Sequence, residues 1–230
     1  MCNFCNINYV IDILYINYAC SNICNDGFFK LLKLTNLKKL NLYWVNINSY
    51  NCKYLQPLYS LQELSLNYNN ITDIGCNYLS KLFNLHTLSL NANKLDDNCC
   101  KYLSELFNLH TLSLNYNNIT DNGCIYLSKL FNLQNLYLSF NQITNNGCKY
   151  LSKLFNLQYL VLTYNNINYN GCVYLLYLKN LHTLYILDGN NIHYKYYTYL
   201  QNNNLLKLKA GLLIKKNIIK FFLINLYCLY

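Results

Sequence analysis

The string LQELSLNYNNITDIGCNYLSKLFN, residues 61–84, returns every 24 residues with little change. A fixed period of this length constrains the fold more than any other property of the chain. Each copy is one supersecondary unit whose apolar face only a neighbouring copy can cover, so the copies must stack. Six copies align without gaps, at 37–60, 61–84, 85–108, 109–132, 133–156 and 157–180. A weaker copy precedes them at 13–36, with Ile23 and Gly27 in phase, and another follows at 181–204, displaced by one inserted residue in LYILDGNNI.

The copies are numbered here from their first leucine. Positions 4 and 6 hold Leu64 and Leu66, Leu88 and Leu90, Leu112 and Leu114, Leu136 and Leu138, Leu160 and Leu162. Alternation of period two predicts a short strand with these leucines facing inward. Position 9 is Asn69, Asn93, Asn117, Asn141 and Asn165, a structural ladder of amides able to bond the backbone that leaves each strand. Position 11 returns to the core through Ile47, Ile71, Leu95, Ile119, Ile143 and Ile167. Thr72–Asp73 and Thr120–Asp121 then offer helix-capping groups, and apolar residues at positions 16, 19 and 22 mark the inner stripe of a short helix or tight helical turn. Successive strands must therefore be parallel. Parallel strands lie about 4.8 Å apart and packed helices about 8–10 Å, so the stack curves with its strands inside. The crossovers are expected to be right-handed.

The pattern LxxLxLxxNxI followed by a helix resembles the leucine-rich repeat. Its helical half, xxGCxYLSxL, is similar to the GxxxL pattern of the ribonuclease-inhibitor-like class, and its length to the 24-residue GALA subtype, with Cys where that subtype has Ala. Gly75, Gly123, Gly147 and Gly171 match the motif glycine, whereas Asn51 and Cys99 depart from it. The resemblance covers roughly residues 13–200. It implies an α/β fold, a right-handed leucine-rich-repeat solenoid shaped as a curved horseshoe, with parallel strands on the concave side and short helices on the convex side. It also implies a concave sheet presented to protein partners. The expected organisation is an N-terminal cap at 1–12, a solenoid at 13–204, and a C-terminal cap or tail at 205–230.

Six of the twelve cysteines, Cys52, Cys76, Cys100, Cys124, Cys148 and Cys172, recur at position 16 on the buried side of each helix. Helices about 8–10 Å apart keep them out of disulfide reach of one another, and they read as small core hydrophobes. Cys2, Cys5, Cys20 and Cys24 sketch a zinc site, but no histidine is near, and no metal or cofactor is expected. Free thiols without an export signal favour a reducing, cytoplasmic compartment, or a host-cell interior for an effector. The Asn70-Ile-Thr and Asn118-Ile-Thr sequons coincide with the repeat consensus and carry no separate meaning.

The net charge of +9 arises from lysine alone, and without arginine forks no nucleic-acid partner is expected. Lysines at positions 17 and 21 form a basic stripe on the convex side that reads as a solvated face, with an acidic partner or an anionic membrane surface as the alternative. The tail after Leu205 is apolar but broken by five lysines, so no membrane span is expected.

Strand positions 3, 5 and 7, with 8 at the rim, face the concave side. They are rich in hydroxyls and amides, with aromatics along one edge. Trp44, Tyr68, Tyr116, Tyr137, Phe140, Tyr159 and Tyr164 form the candidate surface for a protein or peptide partner, because such rings give large contact area at small entropic cost. The competing reading is that they only shield the strand-to-turn edge in an Asn-, Lys- and Tyr-rich chain. Catalysis is not expected: His86, His110 and His182 are repeat-determined, and a periodic surface offers no asymmetric constellation. The expectation is thus a non-catalytic, monomeric binding module. The alternatives are a substrate-recognition adaptor of a ubiquitin ligase or intracellular effector, though about twelve residues ahead of the first copy are too few for an F-box, and a Ran-type GTPase-activating protein, which the lack of arginine disfavours.

Overall fold

The structure, a computed structural model, describes residues 13–17 and 33–192. Eight strands form one sheet in sequential order: β1 Ile13–Asn17, β2 Lys39–Tyr43, β3 Glu63–Ser65, β4 Thr87–Ser89, β5 Thr111–Ser113, β6 Asn135–Tyr137, β7 Tyr159–Val161 and β8 Thr183–Tyr185. Among the described residues, a 3-10 helix, Asn51–Leu55, and five seven-residue helices lie between them: α1 Asp73–Leu79, α2 Asp97–Leu103, α3 Asp121–Leu127, α4 Asn145–Leu151 and α5 Tyr169–Leu175. Every strand pair is parallel. This is an α/β horseshoe, with the sheet on its concave side and the helices on its convex side.

The register follows from the repeat. Leu64 pairs with Leu88, Leu88 with Leu112, and Leu112 with Leu136, a straight row of inward leucines. Each regular strand shows an outward–buried–outward pattern. Positions 4, 6, 11, 16, 19 and 22 form one continuous core with almost no exposed surface. The helices end at position 19, and the position 22 leucines, such as Leu82, reach the core from the turn that follows.

Two departures appear at the ends of the stack. Strand β1 pairs Leu14 with Leu40 and Ile16 with Leu42, an offset of 26 residues, so the first copy leads the gapless alignment by two residues. In the last copy the inserted residue moves the ladder amide to Asn190, which accepts from the Ile167 amide at 2.9 Å. The proposed cap at 1–12, the tail at 205–230 and Cys2, Cys5, Cys20 and Cys24 lie outside the described residues.

Helix starts are tied across repeats. Asp121 Oδ1 accepts from the amides of Thr144 (2.8 Å) and Gly147 (2.9 Å) in the following copy, and its Oδ2 accepts from the Thr144 hydroxyl. Asp97 does the same for Thr120 and Gly123, and Asn145 for the amides of Asn168 and Gly171. An acidic residue at position 13 thus caps the next helix rather than its own. Its carboxylate fills the space beside the motif glycine: a Cβ on Gly147 would stand 2.7 Å from Asp121 Oδ1 and 2.5 Å from Ile143 Cγ2. Thr120, Thr144 and Asn168 add a side-chain cap to their own helices, but Thr72 does not. Ser49 stands at position 13 of the preceding copy, and Thr72 pairs with its hydroxyl at 2.8 Å.

The copy at 85–108 solves the same problem differently. Cys99 occupies the glycine slot, and Asp96 stands where others have threonine. Asp96 Oδ1 accepts from the Asn98 and Cys99 amides of its own helix. Asp73 in the copy before accepts from the neighbouring Ile74 amide instead of reaching across.

Candidate partner-binding surface

The buried asparagines position the concave edge. Asn93 Oδ1 accepts from the Ile71 amide of the preceding copy, while its Nδ2 donates to Leu66 O across the repeat boundary and to Leu90 O within its own copy. Asn69, Asn117, Asn141 and Asn165 make the equivalent bonds. Each amide therefore satisfies backbone groups that the short strands leave unpaired, and locks two copies together. Val45 replaces the amide in the first regular copy.

Immediately before the ladder, position 8 turns the chain with a left-handed backbone. Trp44, Tyr68, Ala92, Tyr116, Phe140 and Tyr164 have φ between 51° and 57°. Glycine adopts this conformation without cost, whereas a bulky side chain is strained there by roughly 1 kcal/mol or more. The last copy uses Gly189, with φ 67°, and the Tyr164 ring lies over it; a Cβ there would be 2.3 Å from Tyr164 Cδ1. Five of the six regular copies instead place an aromatic ring at this strained position. The backbone is held by ladder bonds, such as the Tyr116 amide donating to Ser139 O at 2.9 Å.

The seven candidate rings fall into three groups. Trp44 and Tyr68 stack at 6.2 Å, and Tyr43 lies 5.2 Å from Tyr68. Ala92 then interrupts the rim. Phe140 is sandwiched between Tyr116 and Tyr164 at 4.1 Å on each side. On the sheet itself Tyr137, Tyr159 and Tyr185 follow one another at 5.4 and 5.6 Å. Burial, then the neighbouring Tyr185 hydroxyl, hold the Tyr159 hydroxyl well above its ordinary pKa.

The concave face has two halves. Over β3–β5 it is a self-satisfied polar lattice: Ser89 donates to Asn67 Oδ1 at 2.7 Å and Ser113 to Asn91 Oδ1 at 2.7 Å, while Asn67 and Asn91 donate back to Ser65 and Ser89. Over β6–β8 the lattice gives way to the tyrosines, flanked by the Tyr116–Phe140–Tyr164 stack. Tyr43 and Tyr185 belong to these groups and were legible at concave positions. A further row went unread. Phe83, Phe107, Phe131 and Phe155 at position 23 are 54–61% exposed, more than the rim rings Tyr68, Tyr116 and Tyr164 at 45–51%. They line the opposite edge, where Asn108, Asn132 and Asn156 donate to the carbonyls of Phe83, Phe107 and Phe131 at 2.8 Å. Their 24-residue spacing was the signal that could have found them.

The position 16 cysteines are buried and unpaired. Burial raises their thiol pKa, for Cys52 and Cys172 to about 12, so they remain neutral and poorly nucleophilic. Of the histidines, His86 and His110 stack at 5.4 Å along position 2. No described helix is long and apolar enough to cross a membrane.

The sequence matches the family model described as Leucine Rich repeat at residues 60–80, 105–128, 129–152 and 153–176. Over those residues the chain is built of leucine-rich repeats. Among solved structures it is similar to internalin C2 from Listeria monocytogenes, with 26% identity and a TM-score of 0.59 over 76% of this chain and 80% of that one. It is also similar to another L. monocytogenes internalin, InlF, with 25% identity and a TM-score of 0.55 over 67% of this chain. The chain spans 49% of that internalin's length. No curated protein matches it.

Proposed function

We propose that the repeat module is non-catalytic and binds a protein or peptide through the C-terminal half of its concave face, at Tyr137, Tyr159 and Tyr185 and along the Tyr116–Phe140–Tyr164 rim. The observation that carries this reading is the strained rim: glycine would serve the turn, yet five copies spend backbone strain to present a ring. Stacking offsets part of that strain at Tyr116, Phe140 and Tyr164, with about 0.5–1.5 kcal/mol per pair. It does not account for Tyr137 and Tyr159, which replace the hydroxyl-amide lattice on the open sheet. Trp44 and Tyr68 form a smaller, separate contact point.

The period, the seven-residue helices and the position 15 glycines support placing the repeats in the ribonuclease-inhibitor-like class and its GALA-type subtype. Buried, unpaired cysteines suit a compartment that keeps thiols reduced.

The test is affinity capture and identification of partners, then titration calorimetry with Tyr137→Ala, Tyr159→Ala and Phe140→Gly. Each of the two alanine variants is expected to weaken binding by about 2 kcal/mol, as hot-spot rings do. Phe107→Ser and Phe131→Ser, on the opposite edge, are the comparison arm. Binding lost through that pair and unchanged through the tyrosines would overturn the proposal.

A further inference from the structure

We propose that Cys76 and Cys99 form an inter-repeat disulfide when the chain meets a low-molecular-weight disulfide oxidant of the glutathione type. The argument begins at the glycine slot. In four copies an ideal Cβ at position 15 would lie 3.1–3.3 Å from the position 16 sulfur of the preceding copy: Gly75 from Cys52, Gly123 from Cys100, Gly147 from Cys124, Gly171 from Cys148. A disulfide with an S–S bond of about 2.05 Å sets the distance from one Cβ to the partner sulfur at about 3.0 Å. The repeat geometry therefore places any position 15 Cβ at bridging distance from the sulfur behind it.

Only one regular copy puts a cysteine in that slot. Cys99 carries the Cβ, and Cys76 is the position 16 residue of the preceding copy. Both are free and fully buried, and burial, then the Cys99 thiol beside it, hold the Cys76 thiol well above its ordinary pKa. Three changes accommodate the pair. Leu95 stands at position 11, where the four glycine copies have an isoleucine whose Cγ2 would lie 2.5–2.6 Å from a position 15 Cβ. Asp96 caps its own helix through the Asn98 and Cys99 amides, and Asp73 bonds the Ile74 amide rather than filling the slot. In the regular copies the equivalent carboxylate would collide with a Cβ, as Asp97 and Asp121 would at Gly123 and Gly147.

The step balances as thiol–disulfide exchange. One cysteine, as thiolate, attacks the oxidant's S–S bond; one small thiolate leaves with the electron pair and takes up the proton. The second cysteine attacks the protein sulfur of the mixed disulfide and expels the second small thiol. Two protein thiols are oxidised, and one small disulfide is reduced to two thiols. The bond closes the segment between residues 76 and 99 and ties α1 to α2 covalently. Because both sulfurs are buried, exchange proceeds through local opening between the two copies and runs more slowly than in the unfolded chain.

The test uses the full chain. It is incubated with oxidised glutathione, or refolded in its presence to bypass burial, then acid-quenched, alkylated, cut with trypsin and weighed. Cleavage after lysine leaves Cys76 in peptide 54–81 and Cys99 with Cys100 in peptide 95–101. The two peptides are expected joined, two hydrogens lighter than their sum. The link persists in Cys100→Ala and disappears in Cys99→Gly, the variant that carries the residue the other copies use. A link that survives Cys99→Gly overturns the assignment, because Cys100 is then the partner. Full alkylation of Cys76 and Cys99 after oxidative refolding overturns it as well.

Discussion

The copies at 109–156 and the copy at 85–108 share one backbone but not one way of starting a helix. In the former, threonine, an acid from the copy behind, and glycine act together, and capping is an inter-repeat bond. In the latter, Asp96 caps from within and Cys99 takes the vacated space. The difference shows that the motif glycine is demanded by its neighbours, not by its backbone. It is helical, and what excludes a side chain is a carboxylate and an isoleucine methyl. Where both are gone, with Asp73 turned away and Leu95 in place of isoleucine, a larger residue enters. At Gly75, where Ser49 replaces the carboxylate but Ile71 Cγ2 stays 2.6 Å from a would-be Cβ, glycine remains.

The largest expected effect comes from breaking that arrangement in a regular copy. Gly147→Cys should destabilise by about 3 kcal/mol in urea unfolding, since the new Cβ overpacks Ile143 and displaces Asp121. Adding Ile143→Leu and Thr144→Asp, which transplants more of the arrangement found at 85–108, should restore roughly 1 kcal/mol. A triple variant no more stable than the single one would mean that the changes at 85–108 are independent. The next effect separates two residues that look alike in sequence. Asp121→Ala removes three bonds to the following copy and should cost about 2 kcal/mol, whereas Asp73→Ala should stay within about 0.5 kcal/mol. Equal losses at both sites would erase the distinction. The smallest is Asp96→Ala, an ordinary cap deletion expected to lower stability by about 1 kcal/mol. Hydrogen exchange should then show faster opening at the start of α2 but not of α3.

Much of the fold could be read in advance, because the repeat makes the sequence speak several times about one geometry. The inward leucines, the asparagine ladder and the buried cysteines each stand at a position whose chemistry allows a single role: apolar, amide-bearing, or small and apolar. Thr72 and Asp73 were read as local caps because capping is normally local. Thr72 instead bonds across copies to Ser49 and Asp73 only its neighbour Ile74, whereas Asp97 and Asp121 reach the next helix, a difference no single repeat can express. The seven candidate rings were found by position, but their division into three groups was not. It depends on Ala92 breaking the rim and on Tyr159 and Tyr185 meeting across neighbouring strands. The exposed phenylalanines went unread because position 23 lies outside both the strand and the helix stripe.

The sequence by itself determined the parallel order, the register of β2 to β8 and the core, since a constant interval between inward leucines leaves one stacking that buries them all. Only the tertiary structure decided which side chain of one copy fills the space of the next: Asp121 at Gly147, Tyr164 over Gly189, Cys76 against Cys99. Those pairings are separated by about one period along the chain and by a few ångströms in space. Stacking creates them, and packing of hard atoms permits few alternatives once it has.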